Sequence, residues 1–463
     1  MKIKGVLLGM AGMVAATGAY AADLPAAPAA PEPVDYVRVC DAFGTGFFYI
    51  PGTETCMKIS GYVQAEYDVG ITNGSAGSLT GSGWGGSSAS GNWSDRDSNT
   101  YRFRTRANIR FDTRTNTEFG LLRTYTEMNW YNDDNSFSSD LDKAYIQFGG
   151  LTFGRAQSFF DFYTGVGYNS IFEPAHSDTT ANLAAYTFAF GNGLSATASV
   201  EDTTARRTSI GYVTGASYDP STGVLDLTNA QAMTNGYGGS RIPDVVANFR
   251  VDQAWGSAQV MAAGHQVWTS TALEENGAGT ATGVVDPSTT SSKYGFAVGA
   301  GVTVNMPFLA AGDNFSLQGA YAQGAVKYTA PQATIQWVSY TNGDPTSYVT
   351  GGVPDGFIDP ATGQLKLTQS WSVAAGLQHF FTPQVYAAID GSYFGSKVDL
   401  PGSSNSQVNN WNLTGTVGYT PVAGLELGAA LEYINSSADN NDLTGIVKSD
   451  NQLIGLVRVQ RNF

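Results

Sequence analysis

Charge is scarce in this chain. Lys, Arg, Asp and Glu together make up 14% of its 463 residues, against about 25% in ordinary soluble domains. The charge present leans acidic, with 39 carboxylates against 24 bases. That balance excludes a general nucleic-acid binder, because a phosphate backbone demands clustered Lys and Arg. Three histidines and two cysteines are too few ligands for a metal cluster, and no cofactor is expected. Long apolar runs are also missing. None reaches the 18 residues that a membrane helix needs. Gly44-Thr45-Gly46 precedes neither a helix nor a Lys-Ser/Thr pair, so it is not a phosphate loop.

Glycine and aromatic residues are abundant instead. Glycine numbers 56, and 24 Phe, 24 Tyr and 8 Trp are far too many for a disordered chain. At the amino end Lys2 and Lys4 precede an uncharged, largely apolar run from Gly5 to Ala16, and Ala19-Tyr20-Ala21 supplies small residues at two spaced positions. This is the pattern of a signal peptide cleaved before Ala22. Removing it leaves 22 bases against 39 acids, a net charge of −17. Two classes survive: a soluble exported β-protein, or a β-barrel spanning an outer membrane. The mean hydropathy of −0.14 does not separate them, since a barrel wall alternates and averages to neutral.

Alternation is the dominant pattern. Between Met57 and Val69, Met57, Ile59, Gly61, Val63, Ala65, Tyr67 and Val69 share one face, while Lys58, Ser60, Tyr62, Gln64, Glu66 and Asp68 share the other. Tyr101, Phe103, Thr105, Ala107, Ile109 and Phe111 then alternate with Arg102, Arg104, Arg106, Asn108 and Arg110. A soluble sandwich would turn those arginines to water, and a pore would turn them to its lumen. Further strands are predicted near 117–130, 141–149, 151–157, 183–190, 194–201, 243–252, 257–268, 292–305, 313–328, 368–380, 384–395, 409–419, 424–434 and 451–463, giving sixteen. Residues 207–213 also look strand-like, but an even count assigns all of 202–242 to one outer loop, with room for its own hairpin. Short links alternate with long Gly/Ser/Thr/Asn/Asp-rich ones such as 71–98, 202–242, 269–291 and 329–367. Bacterial barrels show that asymmetry, with tight turns in the periplasm and long loops outside.

The last strand carries Leu453, Gly455, Val457, Val459, Arg461 and Phe463 on one face. A terminal aromatic on such a strand resembles the signal read by the barrel assembly machinery. Arg461 then belongs at headgroup level, where it snorkels. Cys40 and Cys56 face an oxidising periplasm and are expected to form a disulfide, worth roughly 3 kcal/mol for a loop of that length. Pro25, Pro28, Pro31 and Pro33 make 22–35 a stiff, extended segment. The chain thus divides into a signal peptide (1–21), a periplasmic N-terminal segment (22–56) and a transmembrane barrel (57–463). His176, His265 and His379 fall in different predicted elements. A Ser257–His265 pair on the outer wall would suit a barrel phospholipase, but no third residue can be placed, so no catalytic set is expected.

The run from Val34 to Cys56, continuing into Met57-Lys58-Ile59-Ser60-Gly61-Tyr62-Val63, closely resembles the start of alpha-proteobacterial porins. The likeness extends through Phe153-Gly154-Arg155 and the final Gln460-Arg461-Asn462-Phe463. It implies an all-β, sixteen-stranded antiparallel transmembrane barrel in a Gram-negative outer membrane, homotrimeric and bathed in lipid and lipopolysaccharide. It also implies a water-filled channel for passive diffusion of ions and small hydrophilic solutes. The long loop after the fifth strand, about Phe159 to Asn182, would fold inward to narrow that channel. It carries Asp161, Glu173 and Asp178, which would face Arg102, Arg104, Arg106 and Arg110 across a transverse field. Lys58, Gln64 and Glu66 would face the lumen without narrowing it. A substrate-specific channel is the alternative within the same class.

Overall fold

The computed structural model describes residues 38–70, 101–133, 135–168, 175–214, 217–219, 221, 224–226, 231–234, 237–269, 273–275, 281–285, 292–330, 334–341, 344–358, 364–400, 403–439 and 448–463. The signal peptide, the proline segment 22–35 and loop 71–98 lie outside the described residues, as do parts of the other long loops. Sixteen strands form one antiparallel sheet. The first eight are β1 (Cys56–Gly70), β2 (Tyr101–Thr117), β3 (Gly120–Asp133), β4 (Ser136–Phe148), β5 (Leu151–Gln157), β6 (Thr180–Gly191), β7 (Leu194–Glu201) and β8 (Asp244–Gln253). The rest are β9 (Gly256–Trp268), β10 (Ser292–Asn305), β11 (Asn314–Gln323), β12 (Gln369–Thr382), β13 (Val385–Leu400), β14 (Ser403–Val422), β15 (Leu425–Asp439) and β16 (Lys448–Asn462). Each pairs with its sequence neighbour, and β1 pairs with β16 through Val63↔Arg461 and Tyr67↔Val457. The sheet is therefore closed and has no free edge. A two-residue strand, Phe48–Tyr49, adds itself beside the start of β1.

The period-two pattern sorts side chains as expected. Val63, Phe103, Val260, Val373, Leu413 and Val457 point outward and are exposed, whereas Gln64, Glu66, Asp68, Arg102 and Asn108 point inward and are buried. Arg461 lies on the outer face at the turn end, where it donates to the Ala423 carbonyl at 2.7 Å. Phe463 closes the seam, exchanging backbone hydrogen bonds with Gly61 at 3.0 and 3.1 Å.

Seven short connections mark one end of the barrel, for example 149–150 and 423–424, and the long ones leave the other. Two hairpins break the expected asymmetry. β4 begins at Ser136 rather than 141, and β13 and β14 run on to Leu400 and from Ser403, so two-residue connections stand where longer loops were expected. Within Ser136–Asp140 only Phe137 is apolar, too little alternation to mark a strand. The strand expected over 313–328 stops at Gln323, and 326–328 forms a 3₁₀ turn instead. Residues 210–214 are indeed extended, but outside the barrel. They pair with 231–234 and join four segments of 334–367 in a six-stranded sheet at the loop end. Ile210, Ile358 and Leu365 pack this sheet on Val267 of β9.

Cys40 and Cys56 are bonded. The loop that they close lies on the inward side of β1 and β2, with Arg114 4.8 Å from the Phe47 ring. Reducing this disulfide, or replacing both cysteines with serine, is expected to expose 38–55 to protease while leaving barrel heat stability unchanged, because about 3 kcal/mol of loop closure acts outside the closed sheet. Limited proteolysis read by mass spectrometry, beside a heat-shift gel, checks this.

Candidate functional site

β5 has only seven residues, so the chain leaves the wall early, and the described residues 158–168 and 175–179 lie inside the barrel. At the base of this loop Asp161 is buried and ion-paired with the buried Arg206. It also accepts from Thr179 N at 2.7 Å and Gln157 Nε2 at 2.5 Å. Arg206 stacks 4.6 Å over Tyr328. These contacts tie Asp161 into the loop's foot, with its charge answered locally.

The loop then runs along the inner wall. Asn248 of β8 donates to Phe159 O at 2.7 Å, and Gln259 of β9 reaches Asp161 O at 3.3 Å. Gln318 of β11 accepts from Tyr163 N at 2.9 Å and donates to Ser177 Oγ at 2.6 Å. Asp390 of β13 gathers Val166 N at 3.1 Å, His176 Nε2 at 2.7 Å and the Tyr163 hydroxyl. Tyr168 N reaches Thr416 of β14 at 3.0 Å, and its hydroxyl bonds Glu426 of β15. Arg458 of β16 closes the series 4.3 Å over the Tyr168 ring. Three inward glycines allow this close approach. A Cβ on Gly301, Gly376 or Gly428 would collide with Phe162, Tyr163 or Tyr168 respectively.

The described hydrogen bonds of this loop follow the wall from β8 to β16, while the inner face of β1 to β4, covered at its turn end by the disulfide loop, receives none of them. That face carries Arg102, Arg104, Arg106 and Arg110 in a single file on β2. Their partners were not foreseen. Arg102 lies 2.8 Å from Asp68, Arg104 2.9 Å from Asp133 and Arg110 2.9 Å from Glu127. Arg106 is different. It lies 4.6 Å over the Tyr131 ring and 3.4 Å from the Tyr62 hydroxyl, with no carboxylate in ion-pair reach among the described residues. Nearer the turn end Asp112 accepts from Arg114 at 2.8 Å and Arg123 at 2.9 Å. Glu66 holds Arg458 at 2.5 Å across the closing seam. Asp178 is exposed near the end of the loop, while Glu173 lies outside the described residues. The inward parity of 123, 125, 127, 129, 131 and 133 was the available signal for the partners on β3.

The other two long loops fill the barrel behind residues 158–179. Phe160 packs with Val246, Met261, Ala263, Ala297, Ala320, Ala322 and Tyr328. Above this core His265 of β9 sits 2.8 Å from Asp244 and 2.9 Å from the Tyr237 hydroxyl. Asp355 accepts from Val326 N at 2.7 Å, Thr208 N at 2.8 Å and Tyr237 at 2.9 Å. Burial pushes the Asp355 carboxyl up, against the pull of His265 and these donors. His265 therefore points inward with both ring nitrogens committed, and Ser257 is eight residues away on the same strand, about 27 Å. The outer-wall Ser257–His265 pair does not exist. His379 pairs with Asp313 at the turn end, 2.6 Å apart.

A closed barrel, apolar outside and charged inside, with a loop folded across its lumen is the architecture of an outer-membrane channel. The family model described as "Porin subfamily" matches residues 25–455, and the chain belongs to that subfamily. Porin Omp2b of Brucella suis is 36% identical over 275 residues, and that of Brucella canis 37% over 278. Each match covers 56% of this chain and 64% of the relative, so this chain spans just under two-thirds of the relatives' length. Among solved structures, the outer membrane channel DcaP of Acinetobacter baumannii superposes with a TM-score of 0.59 over 90% of this chain and 99% of its own, at 16% identity. That likeness speaks for the fold alone. Family and barrel together locate the protein in the Gram-negative outer membrane.

Adding a side chain beneath the loop is expected to dislodge it. Gly428→Val overpacks the Tyr168 contact, which costs about 1–3 kcal/mol, and the loop yields before the hydrogen-bonded wall. Single-channel conductance should rise while the heat-shift temperature of the barrel is kept.

Proposed function

We propose that this protein is a porin conducting ions and small hydrophilic solutes by passive diffusion, without catalysis. The observation that carries this reading is the inner face of β1 to β4, lined by charged and phenolic side chains and free of hydrogen bonds from the described residues of the inward loop, which is fastened to the rest of the wall. Water fills such a passage, since sixteen strands leave an aqueous interior. Arg102, Arg104 and Arg110 are neutralised by neighbours, so Arg106 sets the sign of the field at the narrow level. Glu173 and Asp178 on the loop would oppose it. Planar-bilayer recording across a salt gradient tests this. Arg106→Ser should shift the anion-to-cation permeability ratio about two- to fivefold toward cations, the effect of one charge at close range in water. An unchanged reversal potential would remove Arg106 from the narrow level, and silence from folded, inserted protein would end the channel reading.

The outer face supports a homotrimer. We place the contact on a polar patch of that face. Arg155 is outward-facing on β5 and bonds Leu141 O at 2.9 Å and Thr180 Oγ1 at 2.7 Å. Gln157, Thr180 and Asn182 surround it on β5 and β6. An arginine facing lipid near the bilayer midplane costs about 2–4 kcal/mol, and a second copy of the chain removes that exposure. Asn182→Lys, which sets another cation beside Arg155, is expected to lower the temperature at which trimers separate on unheated gels by several degrees. Separation at the parental temperature would move the contact elsewhere. Residues 1–21 act as the cleaved signal in this reading, and Phe463 as the mark read by the assembly machinery.

A further inference from the structure

Tyrosines alternate with arginines down the open wall. Tyr62, Tyr131, Tyr125 and Tyr145 all face inward and are partly exposed. Around Arg106 two of them form a cradle, the Tyr131 ring beneath the guanidinium and the Tyr62 hydroxyl at its edge. Lower down, Tyr125 and Tyr145 stack with centroids 5.3 Å apart and planes 23° apart, and Arg123 lies 5.2 and 5.7 Å over the two rings. Tyr131 and Tyr125 are six residues apart on β3, about 20 Å along the strand. The two stations therefore lie one below the other on a single wall.

Each station pairs a flat π surface with a guanidinium, but their charges differ. Arg123 already has a carboxylate partner in Asp112, which it shares with Arg114, while Arg106 has no carboxylate partner among the described residues. A ligand suited to the upper station brings the missing carboxylate together with a flat ring to lie beside Tyr62 and Tyr131. A sugar would use the phenolic hydroxyls but gain nothing from the cation. An aliphatic acid would use the cation but not the rings. Resting on the channel reading above, we propose that Arg106, Tyr62 and Tyr131 form a binding station for small aromatic monocarboxylates. The stacked Tyr125–Tyr145 pair with Arg123 is the next station toward the turn end, where the ring continues to find a face after the carboxylate is released.

The probe is benzoate, with cyclohexanecarboxylate as its non-planar match of equal charge. In single-channel recordings at fixed ionic strength, benzoate should cause brief current interruptions that saturate with concentration, at several-fold lower concentration than cyclohexanecarboxylate. Arg106→Gln should raise the half-saturating concentration roughly tenfold, the worth of a charge-assisted hydrogen bond, and Tyr131→Leu should erase the preference for the planar acid. Saturation-transfer NMR on detergent-purified protein reads the same binding without requiring conduction. If the protein conducts but benzoate and cyclohexanecarboxylate behave alike, or Arg106→Gln changes neither, the station is overturned and the porin reading stands. If it does not conduct, NMR binding that depends on Arg106 and Tyr131 still supports the station, and its absence overturns the station too.

Discussion

The closing seam between β1 and β16 is the constraint on which everything else rests. In hydrocarbon no water satisfies a free backbone N–H or C=O, so a sheet crosses a membrane only when its first and last strands pair. Here that pairing joins Tyr62–Gly70 to Ile454–Asn462, and the terminal Phe463 is bonded to Gly61 on both sides. Once closed, each strand has one face in lipid and one inside, and the scarcity of charge follows. Half of every strand must be largely apolar, so most ionisable side chains sit on the inner face and in the loops, with Arg155 and Arg461 as outward exceptions.

Confinement creates a second problem, since charges of one sign in a narrow lumen repel. The protein answers it across strands. Arginines on β2 meet carboxylates on β1 and β3 at register-matched positions: Arg102 opposite Asp68, Arg104 opposite Asp133, Arg110 opposite Glu127. The Arg104 and Arg110 pairs are partly exposed, so they order the wall more than they stabilise it, whereas Arg102 and Asp68 are buried together. The consequence for transport is selective. In the proposed channel Arg106 is the one of the four arginines with no carboxylate in ion-pair reach among the described residues. The Tyr131 ring beneath Arg106 keeps that guanidinium in place without neutralising it.

The wall was legible in the sequence because period two is a local signal. It gave strand identity, the inward file of arginines and the outward position of Arg461, all from residues a few positions apart. The site was only half legible. Glu66 meets Arg458 across 392 positions and Tyr163 meets Asp390 across 227, and nothing local marks such pairs. Asp161 shows the limit most clearly. Its place on the inward loop could be expected from the family resemblance, but Arg206, which neutralises it, comes from a different loop 45 residues away. An acid on a loop reads as a free charge until its partner is known. The inner glycines were visible as composition, yet their reason, aromatic rings lying on bare backbone, required the loop's path.

The path of the passage follows from unequal filling. Residues 158–168 run along β8 to β16, and the apolar core around Phe160, sealed by Tyr328 and the Asp244–His265–Asp355 contacts, occupies the lumen beside β8 to β11. That region behaves like a soluble protein interior, with packed side chains and every buried carboxylate held by donors. In the proposed channel the space for water lies against β1 to β4, beyond the disulfide loop that sits inside the turn end of β1 and β2. The barrel supplies a wide cylinder, and three loops divide it into a packed side and a wet side. In the proposed channel, solute preference is written on four adjacent strands rather than around the whole circumference, and the loops on the packed side act on the passage through the segment that they support.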